Sequence, residues 1–217
     1  MRMAEVRVPL AAVDLDGSLR IPAGARAIVV FAHGSGSGRH SPRNRQVAEF
    51  LTTAGLATFL VDLLTREEEV IDLETAELRF DIGLLAERLG GVTDWLASDP
   101  ATAALSIGYF GASTGAAAAL IAAADRLPTV RAIVSRGGRP DLAMSVLPNI
   151  RQPTLLIVGG ADEVVIDLNR RALAALGGIK RLVIVPGATH LFEEPGALEQ
   201  VGVEASEWFR QYLAEPS

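Results

Sequence analysis

Residues 104–124 read ALSIGYFGASTGAAAALIAAA. A strand-like run ends and an alanine-rich, helix-like run begins. At the seam stands Gly111-Ala112-Ser113-Thr114-Gly115, which sets a hydroxyl between two glycines where everything around it is apolar. Gly-x-Ser-x-Gly directly after a buried strand and directly before a helix is the pattern of a nucleophile elbow. Such a turn is tight, strains the backbone of its central residue, and leaves no room for bulky neighbours two residues to either side. Gly111 and Gly115 remove those clashes, so Ser113 projects above the sheet. The helix behind it aims its positive end at any charge that develops there. The competing reading is a serine helix cap in a glycine-rich turn. Strand–turn–helix context favours the elbow.

The wider bounds agree with a buried scaffold of this kind. The chain has 217 residues, 49% of them hydrophobic, which suits one large domain with a well-covered core. A net charge of −6 argues against a nucleic-acid or anionic-membrane binder. With no cysteine there is no disulfide, thiolate metal site or cysteine nucleophile. The N-terminal stretch MRMAEVRVPLAAVDLDG carries acids and a proline where a signal peptide needs an unbroken apolar run. No apolar run reaches the ~18 residues of a membrane span. A soluble, cytoplasmic protein is expected, with no membrane partner.

Outward from the elbow, strands and helices alternate. VRVPL and VDLDGSLRIP predict an N-terminal antiparallel hairpin turning at Asp16-Gly17. AIVVFA (27–32) is a continuous apolar strand of the kind found where both faces of a sheet are covered. Ser41-Pro42 starts a helix that buries Val47, Phe50, Leu51 and Ala54 and ends at Gly55. ATFLVD (57–62) is a strand, followed by an acidic loop, LTREEEVIDLET. Leu78, Ile82, Leu85, Leu89, Val92 and Leu96 then share one helix face, which Asp99-Pro100 stops. VRAIVS, TLLIVG and RLVIVP are further strands. Helices are expected over 114–125, over 167–176, and at the end, where Leu198, Val201, Ala205, Trp208, Phe209 and Tyr212 face inward. The pattern predicts a single α/β domain over 1–217, with a mostly parallel sheet and helices on both faces.

Ligands in such sheets bind beyond the carboxyl ends of the strands, so the loops after strands hold the chemistry. FAHGSGSGRHSPRN follows the first core strand. It lacks the Gly-Lys-Ser/Thr of a phosphate loop and the third small residue of a dinucleotide fingerprint. It fits an oxyanion loop, in which the Ser35 N–H joins the Thr114 N–H to hold a tetrahedral intermediate. The bland alternative is a flexible connector. Ser113 needs a base, and of three histidines His33 and His40 lie in that loop, leaving His190 after the last strand. Asp162, just after the preceding strand, is the acid to orient it. Glu163 is expected to point away, and Asp167 to cap its helix. Ser113, Asp162 and His190 follow the chain order Ser…Asp…His.

VVFAHGSGSG, GYFGASTG, GGADEVV and GATHLF together resemble the α/β-hydrolase superfamily, and within it the compact dienelactone-hydrolase-like group. The resemblance covers nearly the whole chain, and Gly159-x-x-Asp162-x-x-Val165 matches the superfamily's usual acid loop. One departure matters. Dienelactone hydrolases proper use a cysteine nucleophile, whereas this elbow holds Ser113, which moves the expectation towards a serine carboxylesterase. The resemblance implies acyl transfer through Ser113, His190 and Asp162, with no metal or organic cofactor. Peptide, lactone or thioester hydrolysis would use the same residues, and a non-catalytic hydrolase-fold binding protein is the alternative from another class. RGGRPDLAMSVLPNIRQP is too short to hold a helical lid, so an open site for small esters is expected. Arg79, Arg136 and Arg139 each carry two readings: contact with a substrate carboxylate, or loop bracing and solvated charge.

Overall fold

A computed structural model of the chain describes residues 1–213. Strands β1 (Arg2–Pro9) and β2 (Asp14–Ile21) form the antiparallel hairpin. Its turn lies at residues 10–13, not at Asp16-Gly17: those two residues are inside β2, opposite Arg7 and Val6. Gly17 is there because the Phe59 ring fills the space a Cβ would need. The turn-pair signal is local, and a long-range packing demand overrides it.

The rest of the sheet is built from β3 (Ala27–Ala32), β4 (Ala57–Val61), β5 (Ser106–Ala112), β6 (Val130–Arg136), β7 (Thr154–Gly159) and β8 (Lys180–Val185). Strand order is β1-β2-β4-β3-β5-β6-β7-β8, parallel from β4 to β8. Every residue of β3 and of β7 is buried, as their unbroken apolar runs require.

Six helices accompany the sheet among the described residues: α1 (Pro42–Thr53), α2 (Arg66–Thr75), α3 (Ile82–Ser98), α4 (Thr114–Ala124), α5 (Glu163–Ala175) and α6 (Ala197–Leu213), and all but α2 pack on its faces. One core cluster joins α3, α4 and α5 to one sheet face, through residues such as Leu89, Leu96, Leu120 and Ala172. A second joins α1 and α6 to the other, through Leu51, Val201 and Phe209.

Three helical boundaries depart from expectation. Leu78 lies in a short 3₁₀ turn, Leu78–Phe80, and helix α3 begins only at Ile82, where the Asp81 side chain caps it by accepting from Leu84 N–H. The acidic stretch after β4 is largely helix α2, not a loop. Its own apolar residues Val70, Ile71 and Leu73 are exposed, and Asp72 is its one buried residue, so it has no core-facing stripe. Polar bonds at its ends hold it instead. Thr65 and Glu68 form a capping box, Arg88 of α3 grips the Glu68 carboxylate, and Arg79 grips Asp72. Helix α5 begins at Glu163, four residues earlier than expected, and Asp167 lies in its second turn, paired with Arg170, instead of capping it. Val164-Val165-Ile166 is a β-branched run with weak helix propensity. Burial of Val165 and Ile166 against Val158 of β7 decides the conformation. Between β6 and β7, residues 137–153 carry two short 3₁₀ turns, Pro140–Ala143 and Leu147–Asn149, and no helical lid. No helix is long and apolar enough to cross a membrane among the described residues.

Candidate active site

Strand β5 ends at Ala112 and α4 begins at Thr114, which leaves Ser113 alone in the turn with φ +51° and ψ −121°. A non-glycine residue there carries about 1–3 kcal/mol of strain, which the surrounding packing must hold. Close approach does so on both sides. A Cβ on Gly111 would collide with the Ala116 backbone, and one on Gly115 with the carbonyls of Ala32 and His33. The elbow is thus pressed against the end of β3. Backbone bonds complete the clamp, from Ser113 N–H to Arg136 O (3.2 Å) and from Arg139 N–H to Ser113 O (3.0 Å). The Ser113 side chain makes no hydrogen bond to any described residue, and α4 directs its first turn towards it.

The loop after β3 wraps the other side. Ser37 N–H donates to Gly34 O at 3.1 Å, and the Cβ position of Gly34 would lie 2.9 Å from Ser113 Cβ. His33 is buried. Its Nε2 accepts from Leu63 N–H at 3.0 Å, so its proton sits on Nδ1, 3.1 Å from Gly34 O. Burial pushes the His33 pKa down, against smaller upward effects of the Gly34 bond and of Asp62. His33 is a neutral strut, not a base. With Gly34 O held by His33 and Ser37, the trans peptide turns the Ser35 N–H the opposite way, towards the elbow. There it donates to Thr114 Oγ1 at 3.1 Å, and the two hydroxyls lie 3.0 Å apart. Farther along, the Asp62 carboxylate binds the Arg39 backbone N–H and guanidinium, tying the loop to the end of β4.

The loops after β7 and β8 are stitched together by Gly160 N–H to Val185 O (2.8 Å) and Ala161 N–H to Ala188 O (2.9 Å). That places the Asp162 carboxylate beside His190, with Nδ1 to Oδ2 at 2.7 Å. Asp162 occupies the N-cap position of α5 without capping it by its side chain. Glu163 and Asp167 make no bond to the imidazole. His190 in turn lies beside the β6 loop that clamps Ser113: the Cβ position of Gly137 would be 3.5 Å from His190 Cε1. The His190 side chain is 39% exposed and that of Asp162 16%.

The three arginines have distinct settings. Arg139 pairs with Asp141 at 2.8 Å. Arg79 binds Asp72 through its backbone N–H, Nε and Nη2, which leaves Nη1 facing Gly36. Arg136 is buried with no ion pair among the described residues. Its Nε and Nη1 lack partners among the described residues, and its guanidinium lies 5.8 Å from the ring centroid of Phe192, in the loop that carries His190. Burial, with a smaller contribution from Arg43, pushes it down to about 10, so it stays charged at neutral pH. Sequence alone missed this packing, as it missed Asp62 and Asp72, because each depends on partners distant in the chain.

A cavity of about 260 Å3 opens on the far side of residues 34–38, walled by Leu64, Leu85, Glu69, Leu73 and Arg79. No group of three or more His, Cys, Asp or Glu residues is arranged to hold a metal among the described residues.

A parallel sheet flanked by helices, with a strained serine after its central strand, defines an α/β hydrolase. The chain belongs to the dienelactone hydrolase family, which it matches over residues 15–213. A dienelactone hydrolase from Anabaena variabilis superposes with a TM-score of 0.96 at 64% identity, each chain covered to 98%. Est1E from Butyrivibrio proteoclasticus shares the fold alone, at 15% identity and a TM-score of 0.80 over 95% of this chain and 98% of that one. A Mycobacterium tuberculosis protein named a putative phosphoribosyl transferase is 59% identical over 216 residues. All of this chain is matched, but only 48% of that relative, so the chain spans about half its length.

Proposed function

We propose that this protein is a serine hydrolase that cleaves small carboxylic esters through an acyl-enzyme intermediate. The observation that carries the reading is the 2.7 Å His190–Asp162 bond, and a serine held at φ +51° in the elbow supports it. In this reading Ser113 Oγ attacks the ester carbonyl as His190 Nε2 takes its proton. Asp162 fixes the proton on Nδ1 and stabilises the imidazolium. The Thr114 and Ser35 amides receive the oxyanion, at about 3 kcal/mol per donor in comparable sites. His190 then protonates the departing alcohol, and water, activated by the same imidazole, releases the acid. Arg79, through its free Nη1, is assigned to the substrate side. Arg136 is assigned to bracing of the His190 loop through Phe192.

The name of the mycobacterial relative belongs to a protein of which this chain matches only part. The strained Ser113 and the His190–Asp162 pair support acyl transfer as the reading for this chain. Labelling by a fluorophosphonate, together with turnover of 4-nitrophenyl acetate, tests the proposal. Both should be lost in Ser113→Ala. A hydrolase-fold binding protein would give neither signal in the wild type, and a panel of esters, lactones, thioesters and peptides would separate the reaction classes.

A further inference from the structure

We propose that the cavity behind the Gly34–Gly38 turn receives a neutral, hydroxyl-bearing substituent of the substrate, and that Glu69 selects it against a carboxylate. This deepens the ester-hydrolase reading and rests on it.

The argument begins with which charges in the wall are already spent. Arg79 is the cavity's cation, and Asp72, 3% exposed, takes its Nε at 2.6 Å, its backbone N–H at 2.9 Å and, through the Asp72 carbonyl, its Nη2 at 2.6 Å. That pair cancels. The Glu69 carboxylate has no hydrogen bond and no cation within ion-pair distance among the described residues, while its Oε1 lies 4.0 Å from the Cβ position of Gly38. Burial, reinforced by Asp62, pushes the Glu69 pKa up. Arg39 and Arg66 act on it from the other side. Arg39 is bound to Asp62, however, and the Arg66 side chain is 81% exposed and 4.0 Å from Asp16. The wall therefore offers one uncompensated negative charge and no uncompensated positive one.

A carboxylate entering this space would face Glu69 with no counter-charge, which like-charge repulsion and desolvation both oppose. A hydroxyl meets the reverse situation. It can donate to Glu69 and accept from the free Nη1 of Arg79, so both groups gain a partner. Leu64 and Leu85, buried, and Leu73 at the rim cover the carbon stem that carries it. At about 260 Å3 the space is below the roughly 300–1,000 Å3 of drug-sized sites, so the substituent is short. Gly34 lines this space, and a Cβ added to it would lie 2.9 Å from Ser113 Cβ, so the turn that walls the cavity also packs against the elbow.

The test uses two matched series. In the acyl series, 4-nitrophenyl 5-hydroxypentanoate is compared with the 4-nitrophenyl half-ester of glutarate. In the alcohol series, the monoacetate of 1,4-butanediol is compared with 4-acetoxybutanoate. Rates are divided by each variant's own rate on 4-nitrophenyl acetate. In at least one series the wild type should prefer the hydroxyl by tenfold or more in kcat/KM, and Glu69→Gln should shrink that preference at least fivefold. Glu67→Gln, the same change of charge on an exposed side chain, should leave it in place. A preference for carboxylate, no preference in either series, or a preference unaltered in Glu69→Gln overturns the proposal. If acetate and every other ester go unhydrolysed, it is the ester-hydrolase reading that has failed.

Discussion

His190 Nδ1 lies 2.7 Å from Asp162 Oδ2, while Glu163 and Asp167, one and five residues farther along, make no bond to the imidazole. The reason is positional. Asp162 stands at the N-cap of α5, in the loop stitched to the His190 loop, and the other two have entered the helix. Asp162→Asn should lower kcat about 10³- to 10⁴-fold with little change in KM, because the amide favours the wrong imidazole tautomer. Glu163→Gln and Asp167→Asn should stay within about tenfold. Steady-state kinetics on any ester that turns over will rank the three, and the reverse ranking would move the acid elsewhere.

The strain at Ser113 separates activity from stability. Ser113→Ala removes the hydroxyl but keeps a Cβ at φ +51°, so it should be inactive and close to wild type in thermal stability. Ser113→Gly should also be inactive yet more stable than Ser113→Ala by about 1 kcal/mol, since glycine accepts positive φ without strain. Denaturant melts of the two variants make the comparison. A less stable glycine variant would show that the turn stores no strain.

Thr114 Oγ1 occupies the Ser35 N–H that the mechanism assigns to the oxyanion. Thr114→Val keeps the shape and the backbone N–H but deletes that acceptor. Stability should fall by about 1 kcal/mol, the worth of an ordinary hydrogen bond. Turnover should stay within tenfold of wild type, because no amide donor is lost. A drop of 100-fold, the scale of a deleted oxyanion donor, would make the hydroxyl itself a partner of the transition state.

His33 ties stability to pH. Its folded pKa is lowered by burial, so below the ordinary histidine value of about 6.5 the unfolded chain binds the proton that the folded one refuses. The stability it contributes is complete above that value and is lost as pH falls through the folded pKa. Melting temperature should decline as pH drops below about 6.5. The decline should be shallower in His33→Asn, whose amide can still reach Gly34 O. Parallel slopes for the two proteins would remove His33 as the source.

Legibility in the sequence followed the range of the interaction. Strands β3 and β7, the elbow at Ser113 and the loops bearing Asp162 and His190 announce themselves because buried runs and strand-to-helix turns are written in adjacent residues. Asp16-Gly17 misleads, since the ring that needs Gly17 belongs to Phe59, on another strand. Helix α2 hides because its apolar residues face outward and polar grips at Glu68 and Asp72 replace the buried stripe. Thr65-x-x-Glu68 is the signal that finds it. The pairing of Arg79 with Asp72 spans seven residues and an irregular turn, so no periodicity marks it.

The short connection between β6 and β7 bears on the fate of the intermediate. In the proposed mechanism, two 3₁₀ turns in place of a lid and a His190 side chain 39% exposed leave an acyl group on Ser113 open to the medium. Whichever dissolved nucleophile reaches the imidazole first should then collect the acyl group. Water dominates in dilute buffer, and added glycerol or a short alcohol competes in proportion to its concentration. On that mechanism the partition between free acid and new ester should follow the composition of the solvent, with little control by the protein over the acceptor.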